Sequence, residues 1–379
     1  MNNPILRFFS SVRLTVACLV LGCILVFWGT VAQVHLGLYK AQNEFFRSFF
    51  IYGQAGDLKV PIFPGGYLIG SVLLLNLLVA HARYYKPGKR KIGIILIHFG
   101  IVLLLVGQML TDALSIESQM HLRIGETRNF SEADRAFELA VIDTSGKDTD
   151  QVVAIPARRL AHSDEFTDPK LLPFTLRIKT YYANSSLMEQ PMAGYEKPKI
   201  TAGLGSNVYW REMPRETEMN RVDVPSALIE IATPHGSPGT FLVSGFVERP
   251  QAFQLDGRTY QMILRPQRFY KPFSIHLVEF HHDVYPGTDI PKNFSSRVRL
   301  QNLQTKEDRE VLIYMNNPLR YGGETFYQAS YDPDDGGSVL QDVRNPGWLT
   351  PYFSCVLVAV GLVWQFLSSL IPFLKRRAA

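Results

Sequence analysis

The chain has 379 residues with 39 basic and 34 acidic side chains, which gives a formal net charge of +5 and allows two or three domains. The basic excess lies outside residues 113–348, because that segment has a net charge of −5 and the remainder has +10. The remainder is also the most apolar part of the chain, a combination typical of membrane proteins with basic cytoplasmic loops. The positive charge therefore does not indicate a nucleic-acid partner, and we expect none.

Stretches without Lys, Arg, Asp or Glu occur at roughly residues 14–34, 63–82, 92–110 and 352–373. With a rise of about 1.5 Å per residue, each is long enough to cross a hydrocarbon core of about 30 Å as a helix. The first follows Arg7 and Arg13 as a signal peptide would, but its apolar run is too long for a signal core. We therefore predict four transmembrane helices, the first of them retained.

The connector between the second and third predicted helices has five basic residues and no acidic one: Arg83, Lys86, Lys89, Arg90 and Lys91. Basic residues in short loops mark the cytoplasmic side of a membrane. With four membrane crossings, the chain start, with Arg7 and Arg13, and the tail, with Lys375 to Arg377, lie on that same side. We predict cytoplasmic termini, a membrane region at 1–112, an extracytoplasmic domain at 113–348, and a last helix with a cytoplasmic tail at 349–379.

Residues 39–52, between the first two predicted helices, contain Phe45, Phe46, Phe49 and Phe50. On a helix these rings would lie on one side, which suits a short interfacial helix at the outer membrane surface. An ordinary loop helix packed on the rest of the protein accounts for the pattern equally well.

The predicted extracytoplasmic domain alternates short β-branched and aromatic runs with Pro, Gly, Asn and Asp, so we expect mainly antiparallel β-structure. Residues 274–280 are apolar on both alternating faces, as in a strand buried on both sides. Residues 183–225 are polar and predicted to be a loop. The three cysteines, Cys18, Cys23 and Cys355, all lie in predicted membrane helices, which excludes a thioredoxin-like role for the domain. The chain contains no Cys-x-x-Cys-His motif and is not itself a c-type cytochrome.

His98 and His81 are the most unusual polar residues of the predicted membrane helices, since polar side chains there are costly and often functional. Gly93, Gly100 and Gly107 recur every seven residues on the third helix and form a small-residue seam suited to helix packing. His98 faces away from this seam and lies about 9 Å into the bilayer from the inner side. Its partner on that face is either Asn76, through a hydrogen bond, or a haem iron, which histidine commonly ligates.

His281 and His282 point to opposite faces of a strand and cannot chelate one ion without a bulge. His276 shares a face with His282 but lies about 20 Å away along an extended strand. We predict no metal site here. The domain also has no phosphate-binding loop and no recognisable catalytic motif, so we assign no catalytic residue.

The chain resembles the ResB (CcsB-type) family of cytochrome c biogenesis proteins over nearly its whole length. The resemblance is carried by Trp28-Gly29-Thr30-Val31-Ala32-Gln33, His98-Phe99-Gly100, Glu117-Ser118-Gln119-Met120 with Gly125-Glu126, Leu277 to Phe280 with Tyr285-Pro286-Gly287, Met315-Asn316-Asn317-Pro318-Leu319, Phe326-Tyr327-Gln328-Ala329-Ser330 and Asn345-Pro346-Gly347. Each motif is weak alone, but their order and topology are fairly specific.

The resemblance implies a subunit of the System II cytochrome c synthase in a bacterial-type inner membrane. Such a subunit helps to move haem b across the membrane and to present it to Cys-x-x-Cys-His apocytochromes. It implies a ResC (CcsA-type) partner, because this chain lacks the tryptophan-rich haem-handling segment, and membrane lipid as surroundings. Haem would be a transient substrate, with His98 as the better and His81 as the second candidate ligand, and haem iron the only metal.

Three functional hypotheses remain from the sequence. The first is the haem-handling subunit, which is part of a haem lyase complex and not catalytic alone. The second is a non-enzymatic envelope scaffold or sensor of the same fold, in which the histidines only form hydrogen bonds. The third is a b-haem electron carrier that uses His81 and His98 together, ranked last because His81 lies close to the membrane edge.

Overall fold

The computed structural model describes residues 3–56, 58–84, 91–147, 149–204, 207–219, 221–234, 236–288 and 291–377. The basic connector residues Lys86, Lys89 and Arg90 lie outside this set. The chain forms two compact units. A helical unit contains Met1–Ile116, Thr217–Met219 and Arg344–Ala379, and a β-rich unit contains Glu117–Glu216 and Asn220–Val343.

The helices are α1 (Pro4–Phe9), α2 (Val12–Leu36), α3 (Leu38–Ala41), a π-helical turn (Gln42–Phe46), α4 (Gly66–Tyr84), α5 (Ile92–Leu114), α6 (Ala157–Leu160) and α7 (Thr350–Arg377). The strands are β1 (Phe50–Ala55), β2 (Leu58–Pro64), β3 (Ile116–Arg123), β4 (Thr127–Asp143), β5 (Gln151–Pro156), β6 (Glu165–Phe166), β7 (Thr175–Tyr182), β8 (Ser185–Met188), β9 (Tyr209–Glu212), β10 (Ser226–Thr233), β11 (Gly236–Ser244), β12 (Gln251–Leu255), β13 (Arg258–Val284), β14 (Pro291–Asn302), β15 (Glu307–Tyr314), β16 (Leu319–Tyr321), β17 (Glu324–Tyr331) and β18 (Gly337–Arg344). Four helices, α2, α4, α5 and α7, are long and apolar enough to cross a membrane, which indicates a membrane protein and confirms the four predicted apolar helices.

Residues 39–52 do not form a single helix, so both interpretations of this segment were wrong over its second half. The helical part ends at Phe46, and β1 begins at Phe50 and pairs with β2. The rings also lack a common face, because Phe45 is buried whereas Phe49 and Phe50 are exposed. Phe45 packs edge-on against Trp28 with ring centroids 5.3 Å apart, which ties this segment to α2.

The predicted glycine seam packs α5 against α7. A Cβ atom added at Gly93 would lie 2.7 Å from the backbone oxygen of Gly361, and one at Gly361 would lie 2.8 Å from the oxygen of Gly93. A Cβ at Gly100 would lie 2.7 Å from Val358. The two backbones therefore approach too closely for any residue larger than glycine, as in small-residue helix pairs of membrane proteins.

The β-rich unit is mainly antiparallel, and its described residues form two large hydrophobic cores and a smaller cluster around Trp210. In the first, Leu139, Met262 and Leu264 pack against strands β7, β10 and β11 of a four-stranded sheet ordered β11-β10-β7-β6. The second lies within the ten-stranded sheet, whose main path is β15-β14-β13-β4-β3-β18-β17-β16.

Ile275 and Leu277 are fully buried in the second core, but Val278 is only partly buried. The register shift between Leu277 and Glu279 places Phe280, which is 8% exposed, on the same face as Leu277. The strand is therefore buried on one face, and the prediction of burial on both faces was wrong.

The predicted loop at 183–225 was wrong in part, because β8 and β9 within it form an antiparallel pair. Trp210 of β9 is buried, and its ring lies 4.5 Å from that of Tyr182. A single aromatic anchor in an otherwise polar stretch was too weak a signal to reveal the hairpin.

The motif Gly125-Glu126 forms the turn between β3 and β4. Gly125 has a φ of +85°, which is accessible to glycine at little cost, and its N–H donates to the Leu277 carbonyl at 2.8 Å. The Glu126 carboxylate accepts hydrogen bonds from the Arg123 N–H at 3.0 Å and from the Arg128 guanidinium at 2.5 Å. Burial acts to raise the pKa of Glu126, but these hydrogen bonds lower the pKa overall.

Gly93→Ala should destabilise the helical unit, because the added methyl group meets the backbone of α7 rather than a movable side chain. The expected loss is about 1–3 kcal/mol, which is usual for overpacking, measured by SDS titration of the detergent-solubilised protein. Gly70→Ala on α4 is the matched control, because a Cβ there meets nothing within 4 Å. Equal stability of the two variants would contradict the close packing of α5 and α7.

Glu126→Gln should destabilise the fold at neutral pH by up to about 1 kcal/mol, a modest value because the carboxylate is partly exposed. Since the folded pKa is lowered, the carboxylate stabilises the fold above its ordinary pKa of about 4.3. This contribution disappears as the pH falls through the folded pKa. Denaturant unfolding of wild type and variant between pH 7 and pH 3 should therefore converge at low pH. Glu248→Gln is the control, because Glu248 makes no hydrogen bond or ion pair with a described residue; a pH-independent difference for Glu126→Gln would refute the assignment.

Candidate functional site

The helical unit contains a cavity of about 550 Å³ bounded by α2, α4, α5 and Lys91. Its apolar lining residues are Val12, Leu19, Leu73, Leu77, Ala80, Ile94, Ile95, Ile101 and Leu105, and its polar ones are Thr15, Asn76, His81, Tyr84, Lys91 and His98. A pocket of this size, with mostly apolar walls and a few polar groups, is typical of a site for a small organic ligand. The cavity is therefore the candidate functional site.

The cavity brings together the two histidines that the sequence singled out. His98 of α5 and His81 of α4 both line it, and the His98 Nδ1 lies 3.4 Å from the His81 Nε2. Their ring centroids are 4.8 Å apart and the ring planes are almost perpendicular, at 88°. Each ring is partly buried. His98 faces away from the glycine seam, as predicted, and contacts a neighbouring helix.

The hydrogen bonds around the pair define one consistent assignment of protons. The Nδ1 of His81 lies 3.3 Å from the carbonyl oxygen of Leu77, and because a carbonyl only accepts, that nitrogen carries the proton. The Nε2 of a neutral His81 is then an acceptor, and the Nδ1 of His98 donates to it. The Nε2 of His98 is left with a lone pair and makes no hydrogen bond with a described residue.

Asn76 is not the partner of His98, so the hydrogen-bond alternative for this pair was wrong. Its amide nitrogen donates to the carbonyl oxygens of Phe9 at 2.8 Å and Ser11 at 3.1 Å, and its Oδ1 accepts from Thr15 at 2.6 Å. Asn76 is buried and fully occupied in joining α4 to the chain around the start of α2. The prediction was based on the similar depth of Asn76 and His98 in the bilayer, but depth does not specify which helix face a residue occupies.

The geometry distinguishes two ways in which the histidines could hold a metal. Imidazole nitrogens bind metals at roughly 2 Å, so two axial nitrogens on opposite sides of one iron would be roughly 4 Å apart. The two facing nitrogens are 3.4 Å apart and meet directly, which leaves no room for an iron between them. A single ligand from the Nε2 of His98, with its Nδ1–H held by a second group, is the arrangement usual for metal-bound histidine.

The histidines of the β-rich unit do not converge on a common ion. His276 contacts the Thr127 hydroxyl at 2.9 Å, His281 lies 3.5 Å from the Glu279 carboxylate, and His282 lies 3.3 Å from Asp335. Within the described residues, no group of three or more His, Cys, Asp or Glu could hold a metal ion.

The β-rich unit contains a buried charge cluster that was not predicted from the sequence. The ammonium of Lys271 lies 2.6 Å from the Asp342 carboxylate and 2.8 Å from that of Glu324, and the three side chains are 4%, 2% and 12% exposed. Asp342 also accepts from the Ser131 hydroxyl at 2.9 Å. The charges lie far apart in the chain and no local pattern marks them. Their role is to pair polar groups beside the second core.

A family model described as the ResB-like family matches residues 246–346, which run from just before β12 to just after β18. The match covers 101 of the 379 residues, so this part of the β-rich unit is similar to the ResB-like family. It is similar to protein NrfI of Wolinella succinogenes, with 37% identity over 113 residues. That alignment covers 30% of this chain and 12% of NrfI, so the chain matches only a small part of its relative.

Proposed function

We propose that the chain is the ResB-type subunit of a System II cytochrome c synthase, and that its helical cavity holds haem b in transit. The observation that carries the proposal is that His98 lines a largely apolar cavity and that its Nδ1 lies 3.4 Å from the His81 Nε2. With the proton assignment above, the His98 Nε2 has a lone pair and makes no hydrogen bond with a described residue. Neutral imidazole in this state is an axial ligand for haem iron.

His81 acts as the orienting residue rather than as a second ligand. Its Nε2 accepts the proton of the His98 Nδ1, and the Leu77 carbonyl holds its own tautomer. Such an outer partner fixes the orientation of the ligating ring and raises its basicity. This reading disfavours the b-haem electron carrier, which needs both histidines on the iron.

We place the site in the inner half of the bilayer, with the chain termini in the cytoplasm and the β-rich unit outside. The support is the basic content of the connector and of the tail at Lys375 to Arg377 under the positive-inside rule. In this orientation α5 runs outward, and His98 lies about 9 Å from its inner end. Haem that enters from the cytoplasm meets this histidine before it reaches the outer side.

We infer that the chain supplies no nucleophile for haem attachment. The reaction adds the two cysteine thiols of the apocytochrome to the haem vinyl groups, and the thiols come from the apocytochrome. The β-rich unit then supports a ResC (CcsA-type) partner and the apocytochrome at the outer surface. The alternative is a scaffold of the same fold, which would require that the His81–His98 hydrogen bond has a structural role only.

Deletion of this chain, with the ResC-type partner retained, should block c-type cytochromes and leave b-type cytochromes normal. Expression of the His98→Ala variant in the deletion strain should not restore c-type cytochromes, because the iron ligand is missing. Expression of the His35→Ala variant should restore them fully, because His35 is exposed at the end of α2 and does not line the cavity. Haem staining of membrane proteins and difference spectra measure the two cytochrome classes.

Two results would count against the proposal. Normal c-type cytochromes in the deletion strain would remove the synthase role. Full rescue by His98→Ala, with wild-type amounts of the variant in the membrane, would keep a role in biogenesis and leave the histidines to a scaffold.

A further inference from the structure

The cavity has a charged group at one end. Lys91, the N-cap residue of α5, lines it together with Tyr84, the last residue of α4. Among the lining residues Lys91 is the one with a permanent charge, and it stands two helical turns, about 10 Å along the axis, from His98. The cavity is therefore amphipathic along its length, with an imidazole in its interior and a cation at one end.

The Lys91 ammonium makes no hydrogen bond or ion pair with any residue that the structure describes. The neighbouring basic residue Arg83 differs in this respect: its guanidinium donates to the Ser10 hydroxyl at 3.5 Å and lies 5.4 Å from the Tyr84 ring centroid. The Ser10 hydroxyl has one proton and lies closer to the Arg7 carbonyl, at 3.3 Å, than to the Tyr84 oxygen, at 3.5 Å, so its oxygen can accept from Tyr84. Lys91 is thus the donor at this end that has no acceptor among the described residues.

We propose that Lys91 binds the carboxylate of an amphiphilic ligand whose apolar body fills the cavity. An ammonium is a donor that a carboxylate accepts from, and the ion pair gains strength beside apolar walls. This inference rests on the proposed function, under which the ligand is haem and the carboxylates are its propionates.

The arrangement fixes the direction in which haem lies. The propionate edge is held at Lys91 and the iron at His98, so the vinyl edge points away from Lys91 and further along α5. In the proposed orientation that direction is outward, so the haem vinyl groups lie on the side of the haem nearest the outer membrane surface. It also makes the site selective, because a porphyrin without free carboxylates loses the contact with Lys91 but keeps the one with His98.

The test compares haemin with haemin dimethyl ester, in which both carboxylates are esterified. The full-length chain in uncharged maltoside detergent is titrated with each compound, and affinity is measured from the Soret band. Wild type should bind haemin about tenfold more tightly than the ester, which is the loss expected for one charge-assisted hydrogen bond. Lys91→Gln should weaken haemin binding by about the same factor and leave ester binding unchanged. Lys91→Arg should keep the preference, and Lys375→Gln in the tail is the control for loss of a positive charge.

The outcomes separate this inference from the proposed function. Wild type that binds both compounds equally, with both lost in His98→Ala, keeps the haem site and overturns the role of Lys91. A preference for haemin that persists in Lys91→Gln also overturns it, because another group must then bind the carboxylates. Equal weakening of both compounds by Lys91→Gln shows a structural role only. Wild type that binds neither compound overturns the proposed function together with this inference.

Discussion

Because Gly93 and Gly361 have no side chains, α5 and α7 pack closely, and this packing determines which neighbours the other faces of α5 contact. The two backbones meet at this point, and α7 covers one face of α5. The opposite face, which carries His98, then lies beside α4 and the cavity. A bulkier residue in the seam would force the helices apart and change the rotation of α5. The position of the histidine is thus a consequence of helix packing on the far side of the same helix.

The hydrogen bond between His81 and His98 lowers the free-energy cost of placing polar rings among apolar helices. A polar ring in an apolar environment costs free energy unless it is hydrogen-bonded, and the chain of donors from His98 through His81 ends at the Leu77 carbonyl. The Nε2 of His98 takes no part in these hydrogen bonds. A purely structural pair would need only the shared hydrogen bond, whereas His98 also lines a cavity with room for a ligand. This combination is the basis on which we propose a haem site and not a scaffold role.

The order of the apolar helices, the β-rich unit and the orientation of His98 were predictable because each follows from local periodicity. The seven-residue glycine repeat specified one face of α5, and His98 necessarily fell on another. The contact with His81 was not predictable, because it depends on the relative rotation and height of α4 and α5. Depth alone favoured Asn76, which instead binds the chain around the start of α2. Lys271 and Asp342 were missed for a related reason, since strand pairing and not sequence neighbourhood buries their charges.

Several motifs that carry the family resemblance are structural rather than chemical. Trp28 packs against Phe45, and Gly125-Glu126 forms a tight turn on β13. Asn345 accepts from the Gly347 N–H at 2.8 Å within a turn that precedes α7. A family can therefore be recognised from residues that maintain the fold, while the ligand site depends on a few side chains within the helices.

The most direct test of the account is replacement of the His98 side chain by a diffusible equivalent. The chain is purified with its proposed ResC-type partner as wild type, His98→Gly and His81→Gly, and absorption spectra are recorded with and without added imidazole. If His98 ligates haem iron, wild type shows a Soret band, His98→Gly loses it, and added imidazole restores it by occupying the vacated ligand position. His81→Gly should keep a weakened band that imidazole does not restore to the same extent. A haem spectrum that is unchanged in His98→Gly, or absent from wild type, would contradict this ligand assignment.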